Sequence, residues 1–542
     1  MRPQRIVNGA APRSVAQAYL RAQASAFFPL HFGARADRVR AVREAAERPI
    51  DAEVLEGIRR QNARLGPSPA RERNLEALSR GAVAVVTGQQ VGLFLGPLFT
   101  LYKAATAIRA ARLLEEESGL RVVPVFWLQT EDHDLPEIAR FGLPDREGRP
   151  VELLLPHDPG NRRSVAHLRL PAEIGGLLED LREHLCHLGH AEEHLRTLEA
   201  HYREGASIAQ AFAGVLSEFF SDDGLLFVDP RDEAFGGAAG ELHRWALEEA
   251  GAIEERLSSR AAELEGAGFP VAVRVRAGSP LSFFHAEGRE GPRHRLVEEA
   301  GAYVEAGGAG RFSRAELLRI LEDDPLRFST SALLRPLLQD RLLPTAAYVG
   351  GPGELAYFAQ LSPLYDLVRR PMPLLLHRAQ FRVLDRRVTR RLSRLGLTEG
   401  DLARSDAELL ARLAGNGIPA LEEALLSPFL AELESRRDEL VALDPSLERA
   451  LRRTRASVER AVSRFSSKVA RARLRREGGI LEDLRYVRDV LRPRGMPQER
   501  FFGLAHPAAR FGQRAFVRAV SAAADPLAPE SRALTEEDVE RV

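Results

Sequence analysis

Two short apolar runs, separated by a glycine loop and a helix, restrict this chain to a small set of folds. Ala82-Val83-Ala84-Val85-Val86 is β-branched and lacks polar alternation, the pattern of a strand buried on both faces. It empties into Thr87-Gly88-Gln89-Gln90-Val91-Gly92 and continues to Gly96-Pro97. Pro97 suits the first turn of a helix, where its fixed φ helps and its missing N–H costs nothing. Leu98, Leu101, Ala105 and Ile108 then mark one face of a helix that runs to about Glu117 and stops at Gly119. Val122-Val123-Pro124-Val125-Phe126-Trp127-Leu128 is a second buried strand. Strand, helix, strand is a βαβ unit, so the chain is expected to be α/β with a parallel-sheet core.

The rest of the chain reads as insertions into that core and an extension from it. The expected organisation is a helical segment packed on the core (1–80), the first half of the core (81–143), an inserted connecting region (144–205) and the second half with a further insertion (206–380). A helical coiled-coil domain (381–491) and a segment returning to the core with a loose tail (492–542) complete it. Sheet-like runs resume at 225–228, 271–275 and 345–349, with a weaker one at 373–376. In the helical stretch, Leu447, Leu451, Thr454, Val458, Ala461 and Phe465 alternate spacings of three and four, an a/d seam. Asp444-Pro445 opens that helix and Pro428 interrupts the one before, which suggests a pair of antiparallel helices projecting from the core.

Composition excludes several classes of function. Lys+Arg and Asp+Glu both count 77, so no net field draws the chain to nucleic acid or an anionic membrane. No apolar run reaches the roughly 18 residues of a membrane span. The opening MRPQRIVNGAAPRS lacks the apolar core of a signal peptide. The lone cysteine, Cys186, allows no intrachain disulfide, and His184, His187 and His190 around it belong to a polar helix. A cytoplasmic protein with no membrane or nucleic-acid partner is expected. Of the 77 basic residues only Lys103 and Lys468 are lysine. Where arginine serves everywhere else, a lysine marks a place for a compact ammonium.

Three segments carry candidate chemistry. In the first loop, Gly88, Gly92 and Gly96 allow close backbone approach, Gln89 and Gln90 offer uncharged amides, and the following helix start favours an anion. The loop fits neither G-x-G-x-x-G nor a Walker A pattern. Second, Glu131-Asp132-His133-Asp134 follows the second strand, at the edge where open α/β sheets bind ligands. Strand-like alternation would put Glu131 and His133 on one side, Asp132 and Asp134 on the other, with His133 as general base or acid. Asp134 also suits the N-cap of a helix beginning Leu135-Pro136. Third, Tyr348-Val349-Gly350-Gly351-Pro352-Gly353-Glu354-Leu355-Ala356-Tyr357 repeats the strand–glycine-loop–helix arrangement, so two such loops can converge on one cleft. Lys103, opposite the Leu98/Leu101 stripe, is expected to face away from the sheet, with a stem able to reach back toward the helix start.

Taken in order, these residues resemble a family. Val85 through Lys103, Val123-Pro124-Val125-Phe126-Trp127 and Glu131-Asp132-His133-Asp134 closely resemble the cysteine ligases of bacillithiol biosynthesis, the BshC family. So do Leu334-Arg335-Pro336 with Gln339, Leu343-Pro344-Thr345, Tyr348, Gly350 through Glu354, Tyr357, Pro493 and Gln498-Glu499-Arg500. Ser329-Thr330-Ser331 departs from an expected Ser-Pro-Asn-like triplet, and Arg140 stands where some relatives carry His. The resemblance implies a Rossmann-type core laid out like class I aminoacyl-tRNA synthetases and a coiled coil that joins two chains. It implies a ligase that forms an amide between cysteine and glucosaminyl malate, the last step of bacillithiol synthesis. Activation of the cysteine carboxylate points to ATP, giving ADP or an adenylate, with Mg²⁺ and no tightly bound metal. On that reading His133, Asp132, Glu131 and Lys103 are the catalytic candidates. Gly88, Gln89, Gln90, Gly92, Gly96, Asp134, Arg335, Gly350, Gly351, Glu354 and Tyr357 would bind substrate or nucleotide. The rivals are a metal-dependent hydrolase using Glu131 to Asp134 and a non-enzymatic nucleotide-binding coiled-coil protein.

Overall fold

The computed structural model describes residues 14–415 and 417–542. The reading of the N-terminal segment therefore lies outside the described residues as far as position 13. Five strands form the central sheet: β1 (Val83–Gln89), β2 (Val122–Leu128), β3 (Leu226–Val228), β4 (Thr345–Gly350) and β5 (Leu374–His377). They pair in the order β5-β4-β1-β2-β3, every pair parallel. Every residue of β2, β3, β4 and β5 is buried, which is why these segments read as unbroken apolar runs. The chain order moves outward from β1 in one direction and returns beside β1 in the other. The carboxyl ends of β1 and β4 therefore flank the topological switch point, the crevice where such sheets place ligands.

Between β1 and β2 runs helix α1 (Phe99–Ser118), closed by Gly119 at φ 73°, whose N–H donates to the Glu115 carbonyl. Its N-terminal side is anchored by the Leu98 amide, which donates to the Phe502 carbonyl. Two further helices shape the crevice: α2 (Arg335–Leu342) and α3 (Pro352–Phe358). Proline stands in the first turn of each.

Two sequence expectations are corrected here, and one sheet was not anticipated. Residues 271–275 are not a strand; both the N–H and C=O of Val273 bond the Gln360 side-chain amide instead of a neighbouring strand. A five-stranded antiparallel sheet stands nearby in sequence, ordered Phe328–Thr330, Ser282–Phe284, His294–Glu299, Ala302–Ala306, Arg311–Phe312. Its strands span two to six residues, too few for periodicity to register. The tail expected to be loose holds a strand, Ser531–Thr535, and a helix, Glu536–Glu540, started by a Thr535/Asp538 capping box and anchored by buried Leu534 and Val539.

The chain divides into two compact units. The first holds the central sheet, with residues 1–143, 152–381 and 499–542. The second, residues 144–151 and 382–498, is mainly helical. Within it, Gly417–Ser435 and Leu447–Leu474 pack on one another. Pro428 does not interrupt the first of these helices, which runs through it. Leu392, Leu409, Ile418, Ala470, Leu474 and Val487 close a small core in this unit. The expected a/d seam is only partly interior: Leu447, Leu451 and Val458 are half-buried, whereas Phe465 is 53% exposed. Among the described residues no helix is long and apolar enough to cross a membrane.

Candidate active site

A cavity of about 310 Å³ opens at the switch point. The loop after β1 contributes Gly88, Gln89 and Gln90; the loop after β4 contributes Gly351, Pro352, Gly353, Glu354 and Tyr357. Gly88 is required because a Cβ there would come within 3.0 Å of the Trp127 carbonyl oxygen on β2.

Lys103 binds the two loops together. It lies in the second turn of α1, is 3% exposed, and brings its Nζ to the end of β1. The ammonium donates to the Gly88 carbonyl at 2.7 Å, to Gln89 Oε1 at 2.9 Å, and pairs with Glu354 Oε2 at 2.6 Å. Three acceptors match its three hydrogens, an arrangement a planar guanidinium does not offer. The expectation that Lys103 faces away from the sheet is corrected, because α1 is buried nearly all round and its stem runs to the strand end. Glu354 also accepts the Gly351 amide at 2.8 Å and the Tyr348 hydroxyl at 2.5 Å. Burial alone would raise the Glu354 carboxyl. The Lys103 ammonium, the Gly351 N–H and Tyr348 together outweigh it and hold the group below the usual carboxylate range.

Around this pair stand three arginines. Arg335, at the start of α2, donates to Gln339 Oε1 at 3.0 Å and to the Tyr357 hydroxyl at 2.8 Å, with its guanidinium 5.0 Å from the Tyr348 ring centre. Arg378 follows the end of β5, pairs with Glu499 at 2.7 Å and lies over Phe99. Its Nε is buried with no hydrogen-bond partner among the described residues. Arg500 also borders the cavity, over the same ring. This donor set fits an anionic group such as a carboxylate or phosphate.

The opposite wall comes from the turn after β2. Asp132 borders the cavity and accepts Gln90 Nε2 at 2.7 Å and the His133 amide at 2.7 Å. Strand-like alternation does not survive past Leu128, because the chain turns at once, with Thr130 N–H donating to the Leu128 carbonyl. Glu131 is consequently placed elsewhere: its buried carboxylate accepts the amide and hydroxyl of Thr330. Arg293 donates to the Glu131 and Thr330 carbonyls and lies 3.9 Å from the Phe283 ring centre, fastening the antiparallel sheet to this turn. His133 packs edge-on against Phe283 and does not line the cavity. Burial, reinforced by the Arg293 charge, lowers its pKa to about 4. Asp134 caps the short helix Leu135–Ile138.

Of the expected site residues, then, Gly88, Gln89, Gln90, Lys103, Asp132, Arg335, Gly351, Glu354 and Tyr357 meet at one cavity. Gly92 and Gly96 do not line it; they crowd each other, and the Gly92 carbonyl accepts the Tyr202 hydroxyl. Gly350 serves through its backbone, accepting the Arg378 N–H. Sequence reasoning missed Trp127, Gln129, Glu137, Arg378 and Arg500 as cavity residues. Arg378 was reachable, since it directly follows a candidate strand; Arg500 stood among the family-matching residues Gln498-Glu499-Arg500 but, coming from a distant stretch of sequence, was not assigned to the site. The acidic run does not converge as a metal site would: among the described residues no three His, Cys, Asp or Glu side chains are placed to hold an ion.

A parallel sheet with a charged cavity at its switch point, in one chain with a helical coiled-coil domain, marks a two-domain protein built on a Rossmann-like core. Residues 1–379 match the family model "Bacillithiol biosynthesis BshC, N-terminal Rossmann-like domain", and residues 381–530 match "Bacillithiol biosynthesis BshC, C-terminal coiled-coil domain". The chain belongs to the BshC family. Relatives include proteins of Salinibacter ruber (34% identical over 88% of this chain and 87% of the relative) and Koribacter versatilis (34%, over 83% and 84%). A third, from Solibacter usitatus, is 33% identical over 85% of each chain. All three bear the name "Putative cysteine ligase BshC".

Two outcomes are expected. Lys103→Met leaves half-buried Glu354 without its ammonium partner and should cost about 2–3 kcal/mol in chemical denaturation, with Lys103→Met/Glu354→Gln recovering part of that loss. His133, depressed to about 4, stays neutral in the fold. NMR titration should show no protonation of its ring between roughly pH 5.5 and 8. Because the unfolded ring binds the proton more readily, its contribution to stability is complete above the unfolded value of about 6.5 and is lost as pH falls toward 4.

Proposed function

We propose that this chain is the ligase that joins the carboxyl group of cysteine to the amine of glucosaminyl malate, the last step of bacillithiol synthesis, and that the switch-point cavity is its active site. The observation that carries this reading is the wall of Lys103, Arg335, Arg378 and Arg500 at the switch point of a BshC-family core. Malate presents two carboxylates, and guanidinium forks match carboxylates in geometry as well as charge. The cavity's volume suits the reacting part of a small polar metabolite.

Amide formation from a free carboxylate is uphill in water, so the cysteine carboxyl must be activated. ATP with Mg²⁺ is the expected source, and its phosphates would be held by the same guanidinium groups; when bound it supplies the leaving group. The chain's own residues do the rest. Lys103 and Glu354 fix the spacing of the two loops, the arginines orient anionic groups, and Asp132, steadied by Gln90, faces the cavity as a carboxylate. His133, neutral and set back against Phe283, supports the turn that presents Asp132. We infer further that two chains pair through the coiled-coil domain, supported by apolar side chains left open there: Leu443 is 75% exposed and Phe465 53%.

The test is to incubate the purified chain with ATP, Mg²⁺, cysteine and glucosaminyl malate and to follow the thiol conjugate by mass spectrometry. Arg335→Ala and Asp132→Asn should each lower kcat/KM by about a hundredfold or more. A chain that neither binds glucosaminyl malate nor makes the conjugate overturns the assignment. Phe465→Glu should shift the sedimentation coefficient from dimer to monomer; an unchanged value counts against coiled-coil pairing.

A further inference from the structure

The cavity brings charges of both signs into one space, which suits an acceptor that carries carboxylates and an amine. Lys103, Arg335, Arg378 and Arg500 line it together with Asp132 and Glu137. Glu137 belongs to the short helix Leu135–Ile138, whose first turn Asp134 caps through the Glu137 amide at 3.3 Å. That cap fixes the helix relative to Asp132, two residues before it. Gln90 donates to Asp132 at 2.7 Å and lies near enough to Glu137 to lower the pKa of its carboxyl, so one amide stands by both carboxylates.

We propose that Asp132 and Glu137 form the subsite for the acceptor amine, and that Glu137 is a catalytic residue that takes its proton. The inference rests on the ligase reading above and adds a residue and an orientation to it. With the malate carboxylates on the arginines, the amine is directed to Asp132 and Glu137, the carboxylates that line the cavity among the described residues apart from the Lys103-bound Glu354. An ammonium between two carboxylates is held by charge-assisted hydrogen bonds. To react it must surrender one proton, which moves to the Glu137 carboxylate. The freed nitrogen lone pair then forms the C–N bond to the activated cysteine carbon, while the C–O bond from that carbon to the phosphate leaving group breaks and the oxygen takes its electron pair; the second amine proton leaves with the departing phosphate oxygen, which gives the neutral amide.

The surroundings of Glu137 suit this role. Desolvation of its carboxyl raises its pKa, and the negative charges of Asp134 and Asp132 raise it further, against Gln90 and Arg500, which lower it. A carboxylate moved upward is a better proton acceptor near neutral pH. Asp132 stays braced by Gln90 and two backbone amides and acts as the fixed anion of the subsite.

Calorimetry on the full chain near neutral pH separates this proposal from the one it rests on. The two ligands are glucosaminyl malate and its N-acetylated form, which keeps the carboxylates and loses the basic amine. The wild-type chain should bind the amine form about ten- to a hundredfold more tightly, as expected for loss of a charged hydrogen bond. Glu137→Gln should reduce that preference to about twofold or less, while Glu137→Asp retains part of it. Arg500→Ala should weaken both ligands together and leave the preference intact. Glu137 is exposed at the cavity mouth, so its replacement should not disturb folding. In turnover, the acidic limb of the kcat/KM profile should disappear in Glu137→Gln. Retention of the amine preference in Glu137→Gln overturns the amine subsite alone, whereas a wild-type chain that binds neither ligand overturns the cavity assignment as well.

Discussion

The ion pair of buried Lys103 and half-buried Glu354 is the constraint on which the rest of the site depends. It joins the end of β1 to the start of α3 across the switch point, where two neighbouring parallel strands send their helices in different directions. A crevice at that place would otherwise be free to widen. Two opposite charges taken out of water tolerate little displacement, since their attraction and hydrogen bonds must offset a large desolvation cost. Lysine satisfies the geometry because three acceptors from three directions surround one nitrogen. In a sequence that uses arginine almost everywhere, this is a position where the fork of arginine would not fit.

The acidic turn after β2 shows how one run of residues is divided among structural and chemical tasks. Glu131 latches the antiparallel sheet through Thr330, and Arg293 reinforces the latch from the other side. Thr330 stands within the Ser329-Thr330-Ser331 triplet that departs from the family pattern, and its hydroxyl is occupied by this latch. Asp134 is spent on a helix cap. Asp132 alone of the four borders the cavity. A metal site would need several of these side chains to converge; here they diverge because the chain turns immediately after the strand.

Much of the core was legible because burial on both faces forces a recognisable pattern. The valine-rich β1 and β2 and the glycine stop of α1 stood out, as did the second strand–loop–helix at Tyr348. The short antiparallel strands left no such mark, and residues 271–275, which resemble a strand in composition, satisfy their backbone through the side chain of Gln360. Pro428 misled in the opposite sense, since a helix can carry a proline at the loss of one hydrogen bond. At the site, the loop residues were found because glycine and charge at a strand end are rare together. Arg378, although it follows a candidate strand, and Arg500, although it stands in a family-matching motif, were not placed at the site because nothing local ties either one to the two glycine loops.

The sequence by itself determined the parallel α/β core, the two glycine loops, the special place of Lys103 and membership of a family, since each depends on local pattern or ordered motifs. Tertiary structure alone decided which charges share a cavity. Gln90, Lys103, Asp132, Glu137, Arg335, Glu354, Arg378 and Arg500 come from six separated stretches, and only strand order and helix packing bring their side chains together. The direction of a side chain after a strand ends is likewise set by the turn that follows. That is why Glu131 and His133, equal in sequence to Asp132, face away from the cavity that Asp132 borders.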